Sequence, residues 1–545
     1  MPTHEVFNTP PPLVGVNAFT SDASLAGAVA ALTDVELKPL IALGELAGSE
    51  QAQDWGRLAN SNPPLLRTHD RFGHRIDEVE FHPAWHELMS VAVGNGLHGT
   101  PWMRAVALEG TDSAVDQRDH LIRALKFYVW GQVEAGHGCP VSMTYAIVPA
   151  LRHAPDLAIQ FEPLLGSTTY DFGLRPPLGK AGLLAGMAMT EKQGGSDVRA
   201  NTTRAEPYDD HYLLTGHKWF CSAPMCDLFL VLAQAPGGLS CFLVPRMLPD
   251  GTRNTFLIQR LKDKLGNRSN ASSEVEFDAT HGWLVGDEGA GVRTIIDMVT
   301  MTRLDCVIGS SSLQRAALVQ ALHHARHRSA FGRPLVEQPL MREVLADLAV
   351  ESAASTALFV RLARAIDDGE SAFVRLAVAA AKFWVCKRTP AFVAEALECL
   401  GGNGYVEDSG LPRLFRESPL NGIWEGSGNV IALDVLRAAQ RDPQSVAAVL
   451  AELDSAAGAD ERLDSAIAEL RRRLDGLGAS RVDDERGARG LAGLLARCLG
   501  AHLLVSNAPE SVAHRYVESW LGSPTLSVYG ERPGSGADAV LDRAI

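Results

Sequence analysis

Residues Ile423 to Arg437 read I-W-E-G-S-G-N-V-I-A-L-D-V-L-R, and their one glutamate, Glu425, stands between a bulky aromatic, Trp424, and a flexible Gly426-Ser427-Gly428 turn. A carboxylate so placed can act as a base, because an apolar flank raises its pKa by desolvation and glycines let backbone approach a ligand closely. Ser427 and Asn429 are good helix N-caps ahead of Val430, Ile431, Leu433 and Leu436, so free backbone N–H groups are expected beside Glu425. A capped helix with a surface glutamate would use the same residues. Further upstream, Met189-Thr190-Glu191-Lys192-Gln193-Gly194-Gly195-Ser196-Asp197 follows a strand-like run and ends in a turn whose N–H groups and hydroxyl suit an anion or a polar ring edge. Gly216 to Ser222, G-H-K-W-F-C-S, puts aromatics beside a hydroxyl, which serves a planar cofactor or a core strand equally well.

The elements that must position these residues divide the chain into four parts. Residues 1–180 open with Pro10, Pro11 and Pro12 and continue with helical periodicity, including an apolar stretch from Asp119 to His137. Over 181–291 strand signals take over: Leu228 to Leu232 and Cys241 to Val244 are short apolar runs, and Glu274 to Phe277 alternates with period two. Residues 292–440 return to long low-glycine helical segments, predicted over Val292 to Arg328, Met341 to Asp367, Ser371 to Leu400 and after Asn429. Residues 441–545 are Ala/Leu-rich and helical in pattern. R-S-A-F-G-R-P-L (Arg328 to Leu335) and L-G-G-N-G-Y (Leu400 to Tyr405) each read alone as helix ends. Gly286, Gly289 and Gly291 lack the following Lys-Ser/Thr of a phosphate loop and read as a domain-joining turn.

Composition bounds the function. The 545 residues are 46% hydrophobic and 21% charged with a formal charge of -15, which disfavours wrapping of nucleic acid or anionic membrane by the whole surface and leaves local basic patches open. Eight scattered cysteines without a C-x-x-C pair suit a reducing cytosol, and a cytoplasmic location is the expectation. No basic stretch followed by an apolar h-region opens the chain, and no membrane partner is expected. His82, His86, His98, His120 and His137 match no metal-ligand spacing, so no metal is expected.

The order helical, β, helical bundle, with T-E-K-Q-G-G-S-D, G-H-K-W-F-C-S, R-x-x-F-G, L-G-G-N-G-Y and W-E-G-S-G-N, resembles the acyl-CoA dehydrogenase family over roughly residues 80–440. V-F-N-T-P-P-P-L near the start, F-H-P-A-W-H at Phe81 to His86, R-L-K-D-K-L-G-N-R-S-N-A-S at Arg260 to Ser272 and the added C-terminal part are similar to its AidB type, the flavoproteins of the bacterial adaptive response to alkylation damage. That resemblance implies a multidomain α+β fold: an N-terminal helical domain, a middle β-barrel-like domain, a four-helix bundle and an additional C-terminal helical domain.

It also implies FAD, bound between the β domain and the bundle. Met189, Thr190, Gly195 and Ser196 match the positions at the flavin edge and phosphates, Phe220 and Ser222 those beside the isoalloxazine, and Ile423, Trp424, Gly426, Ser427 and Asn429 those closing the site. Arg328, Gly401 and Gly402 match positions that touch the FAD of a neighbouring subunit, so a homotetramer is implied. Glu425 matches the base that removes the α-proton of an acyl thioester. Lys192 stands where the family usually has proline, which changes that turn. The AidB type further implies weak isovaleryl-CoA-like dehydrogenase activity and double-stranded DNA binding, with Arg437 taking part and Arg471, Arg472 and Arg473 as a candidate patch. From Gln440 to Ile545, 12 Arg and no Lys face 16 Asp plus Glu, an acidic balance for such a domain. An ordinary acyl-CoA dehydrogenase or oxidase without DNA binding, or a C-terminal part that serves subunit assembly, is the alternative.

Overall fold

A computed structural model describes residues 4–103, 118–523, 525–531, 534 and 536–544. The chain forms two compact units, one of Gln51–Asp119 and Val133–Asp305, the other of Met1–Glu50, His120–Gln132 and Cys306–Ile545.

The first unit holds the middle β domain. A hairpin of β1 (Leu65–His69) and β2 (Arg75–Glu80) interrupts its otherwise helical N-terminal part. Its turn is set by Asp70, whose carboxylate accepts the N–H groups of Phe72 and His74, with Gly73 at φ 90°. Seven further strands follow: β3 (Ala185–Ala188), β4 (Arg204–Tyr208), β5 (His211–Ser222), β6 (Leu228–Ala235), β7 (Gly238–Pro245), β8 (Phe256–Leu261) and β9 (Ser272–Val285). They run in the order β3-β6-β4-β5-β9-β7, with β8 on β9, and β6 also pairs β7, so the path closes into a barrel-like sheet. The apolar runs of β6 and β7 are buried because both faces are covered. In β9, Val275 and Phe277 point inward and Glu276 outward, as the alternation predicts. Glu274 breaks the pattern: it too is buried, because Arg260 and Lys262 each reach its carboxylate at 2.8 Å.

The second unit contains the helices expected of the bundle. Pro339–Asp367, Ser371–Glu398 and Gly428–Arg441 lie wholly within it, and Gly291–His327 enters it at Cys306. The helix expected from Asp119 to His137 ends at Gly131, and its first N–H groups are capped by the Asp367 carboxylate. The added helices Pro443–Asp454, Glu461–Asp475, Arg481–Asn507, Glu510–Leu521 and Ala537–Ala544 belong to the same unit. Ion pairs fasten them: buried Arg515 to Asp347 and Glu343 at 2.9 and 2.8 Å, and half-buried Arg361 to Glu452 at 2.8 Å. Arg481–Asn507 is long and apolar enough to cross a bilayer by length and composition, but 78% of that stretch is buried in the fold, which accounts for its apolarity. All eight cysteines are free and buried.

Candidate active site

The turn that carries Glu425 is tied down from beneath. Lys382, in the middle of Ser371–Glu398 and only 2% exposed, donates from Nζ to the carbonyls of Trp424 (2.9 Å) and Gly426 (2.7 Å), the residues on either side of the glutamate. The Ile423 and Trp424 N–H groups bond to Leu420 O, and Trp424 Nε1–H donates to Asn421 Oδ1 at 2.9 Å. Between these fixed points Glu425 has φ 58°, the left-handed region that costs a side-chain-bearing residue about 1–2 kcal/mol. Lys382 supplies the compensation, since releasing it would leave two carbonyls without their donor. Gly426 follows at φ 105°, where a Cβ would also meet Ile431 Cδ1 at 2.9 Å. The glutamate is half-buried.

The capping expectation needs correction in detail. Ser427 is the N-cap residue of Gly428–Arg441, but its side chain makes no capping bond. Asn429 lies inside the first turn, and its Oδ1 accepts from Arg489 of the added helices at 3.0 Å. The first N–H groups of this helix therefore have no side-chain cap from Ser427.

The second constellation is on the β domain. The Met189 to Asp197 turn and strand β5 are joined by a buried ion pair: Lys218 Nζ reaches Glu191 Oε1 at 2.9 Å and Leu232 O at 2.7 Å, with both charged side chains fully buried. Burial alone would raise the Glu191 carboxyl, but the Lys218 ammonium and the Thr202 N–H hold it well below the usual carboxylate range. Burial pushes Lys218 down to about 8 against the pull of Glu191. These two residues give T-E-K-Q and G-H-K-W a structural role that their spacing did not reveal. Lys192 N–H donates to His217 Nε2 at 3.0 Å, a bond that proline could not make. Gly195 is required by space, since a Cβ there would lie 2.3 Å from Thr190 Oγ1.

Phe220 is 54% exposed, an aromatic face at the end of a strand, and Lys262 Nζ stands 4.5 Å from its ring centre. The hydroxyls of Thr190, Ser196 and Ser222 have no hydrogen bond among the described residues, whereas Met189 O and Thr190 O are spent on Asn201 and Trp219. The exposed part of this aromatic and the unspent hydroxyls of the same domain fit a flavin ring and its polar edge.

Arg328 and the two glycines lie on the bundle unit. Arg328 Nη1 donates to Asn8 O at 2.7 Å, and the Asn8 side chain in turn bonds both backbone groups of Ser329, which ties the Pro-rich lead to this turn. Gly401 (φ 59°) and Gly402 are exposed, with nothing within 4 Å of an added Cβ. Of the arginines singled out in the sequence, Arg437 is exposed and has no ion-pair partner among the described residues, as is also true of Arg441. Arg471 pairs with Asp454, and Arg472 and Arg473 share Glu469. Of the histidines, His98 Nε2 bonds Ser167 O, His137 packs on Glu134 and His86 meets Tyr170 Oη, each at home in the helical part of its unit.

Comparison with known proteins agrees with this architecture. Family models match in chain order: the adaptive response protein AidB N-terminal domain over residues 8–172, the acyl-CoA dehydrogenase middle domain over 186–280 and the acyl-CoA dehydrogenase C-terminal domain over 289–440. The chain is 48% identical over 482 residues to "Putative acyl-CoA dehydrogenase AidB" of Escherichia coli (strain K12), covering 87% of each chain. It is 29% identical over 512 residues to "Acyl-CoA dehydrogenase family member 11" of Caenorhabditis elegans, covering 86% of this chain and 81% of that one. Among solved structures it is similar to Caenorhabditis elegans ACDH-11 in complex with C11-CoA, with a TM-score of 0.83 at 26% identity over 99% of this chain and 97% of that one. The chain belongs to the acyl-CoA dehydrogenase family, in its AidB type. It is an acyl-CoA dehydrogenase-type oxidoreductase, and like the members of that family it is an FAD-dependent flavoprotein.

Proposed function

We propose that this flavoprotein serves the adaptive response to DNA alkylation in the cytoplasm, binds double-stranded DNA, and retains a weak dehydrogenase activity on short branched acyl-CoA thioesters such as isovaleryl-CoA. The observation that carries this reading is the 48% identity to the Escherichia coli AidB protein over 87% of both chains, together with the AidB N-terminal match over residues 8–172. ACDH-11 with its bound C11-CoA supports an acyl-CoA as the small-molecule ligand. A homotetramer accords with large apolar side chains left exposed on the bundle unit, among them Phe7, Phe331 and Tyr405.

In the dehydrogenase step Glu425 takes the α-proton of the thioester on a carboxylate oxygen. Lys382 holds the turn so that this carboxylate and its own backbone N–H stay in a set relation, and the N–H can hydrogen-bond the thioester carbonyl as negative charge builds there. FAD, when bound, supplies the acceptor for the β-hydride. Thr190, Ser196, Phe220 and Ser222 would hold it on the β domain. Anaerobic mixing with isovaleryl-CoA should bleach the flavin, and Glu425→Gln should stop the bleaching with FAD retained. A wild type that bleaches with no acyl-CoA would remove the dehydrogenase half of the proposal.

For DNA, Arg437 and Arg441, exposed and without an ion-pair partner among the described residues, are the stronger candidates, since Arg471, Arg472 and Arg473 already meet carboxylates. Titration of a duplex should give binding that weakens with salt and with Arg437→Ala. Binding absent at low salt, or indifferent to both, favours the second reading: an ordinary acyl-CoA dehydrogenase or oxidase of branched-chain or fatty-acid catabolism. The neutralised arginine triplet and the acidic balance of the C-terminal part favour that reading.

A further inference from the structure

Away from the Glu425 turn, the bundle unit holds a half-open cavity of about 310 Å³, at the small end of ligand-sized pockets. None of residues 421–429 lines it. One wall is the Pro339–Asp367 helix, where Ala349, Ala353 and Ala357 recur at four-residue spacing and leave the space open. Leu318, Leu504 and Val512 from three other helices close the apolar part. The apolar part of this lining suits an alkyl chain, which would release water from it.

The charges around it do not cancel. Arg315 is met by Asp22 at 3.5 Å and also bonds Ser21 O, and Asp22 further accepts from Tyr128 and Ser24. Arg361 is bound by Glu452 and Glu370. Arg364, half-buried on the same helix face, and Arg543, exposed on Ala537–Ala544, line the cavity too, and neither has an ion-pair partner among the described residues. A half-buried guanidinium without a counter-ion at the border of an apolar space is costly unless an anion joins it.

We propose that this cavity binds an aliphatic carboxylate, a medium-chain fatty-acid anion, with its alkyl chain along Ala349, Ala353 and Ala357 and its carboxylate on Arg364 and Arg543. The site is separate from the acyl-CoA chemistry at Glu425 and does not depend on the DNA reading. It offers the protein a way to sense free acyl chains through helices that join the bundle to the added C-terminal part.

Calorimetric titration of the full-length flavin-loaded protein with sodium decanoate tests it, with decan-1-ol as the uncharged chain of equal length. One equivalent of decanoate should bind, and decanol about tenfold more weakly, the cost of losing a charge-assisted hydrogen bond. Ala353→Phe, which fills the cavity, should abolish decanoate binding while leaving the flavin content unchanged. Arg543→Glu, on an exposed face that cannot disturb the core, should weaken decanoate about tenfold or more and leave decanol as it was. The proposal is overturned by no decanoate binding up to about 1 mM, by equal affinity for decanol, or by unchanged decanoate affinity in either variant. Should Ala353→Phe lose its flavin, Arg543→Glu decides alone.

Discussion

Two buried lysines do similar mechanical work in the two units and differ in what they bind. Lys218 in the β domain meets a carboxylate, Glu191, that belongs to the very turn it fastens. Lys382 in the bundle meets only the carbonyls of Trp424 and Gly426 and has no ion-pair partner within 4 Å among the described residues. The first is a neutral pair, costly to break on one side and tolerant of replacement on both. The second leaves a positive charge under the residue proposed as the base, and it holds that residue at a positive φ. The Met189 turn is fastened by a rigid anchor alone, whereas the Glu425 turn has an anchor that also compensates backbone strain.

The largest effect expected from this contrast is that of Lys218→Ala, which strands Glu191 without its counter-ion and should cost about 3–5 kcal/mol, read as a drop in melting temperature with loss of flavin. Lys218→Met with Glu191→Leu should recover much of it, and a single variant as stable as the wild type would show that the pair is not an anchor. Lys382→Met comes next: the flavin should remain bound, while bleaching by isovaleryl-CoA slows by about tenfold to a hundredfold, since small misplacement of a reacting group costs that much. Lys382→Arg should restore part of the rate. Loss of FAD in step with the rate would reduce Lys382 to a purely structural role.

Acid should separate the two turns. The Glu191 carboxyl is held below its ordinary value of 4.5, so its contribution is complete above that pH and is lost as the pH falls beneath it. The carbonyl acceptors of Lys382 do not titrate there. Hydrogen exchange pulsed after an acid jump should open the backbone around Glu191 before that around Glu425, and the reverse order would undo the comparison. Smallest is Glu425→Gly, which should raise stability by about 0.5–1 kcal/mol through relief of the positive φ while abolishing proton abstraction, as seen by thermal melting beside the bleaching assay. A destabilised variant would mean that the side chain contributes more to the fold than the strain removes.

Much of this was legible in one dimension because it rests on local rules. Apolar periodicity marked the long helices of the bundle, short β-branched and apolar runs marked β6 and β7, and the glycines of the Met189 and Trp424 turns marked where backbone bends sharply. Elsewhere the local rules misled. Ser427 is an N-cap by position but not by hydrogen bond, Asn429 is taken by Arg489, which is distant in sequence, and Glu274 is buried where alternation sends it outward, because Arg260 and Lys262 neutralise it. Asn429 depends on a partner 60 residues along the chain and Glu274 on residues brought to it by the β8–β9 pairing, neither of which spacing can identify.

The sequence by itself determined the family, the order of the domains and the glutamate that matches the base, because turn glycines, helix periods and motif residues are properties of contiguous segments. Only the tertiary structure decided how that glutamate is held. Lys382 lies more than forty residues before Glu425 in a helix whose period marks it as nothing special, and its charge acquires meaning only when folding brings its ammonium under the two carbonyls of a strained turn. The same holds for the arginines: Arg437 has no ion-pair partner among the described residues and Arg471 to Arg473 are neutralised because of which carboxylates folding placed within reach, and charge in a folded protein is a matter of distance rather than of count.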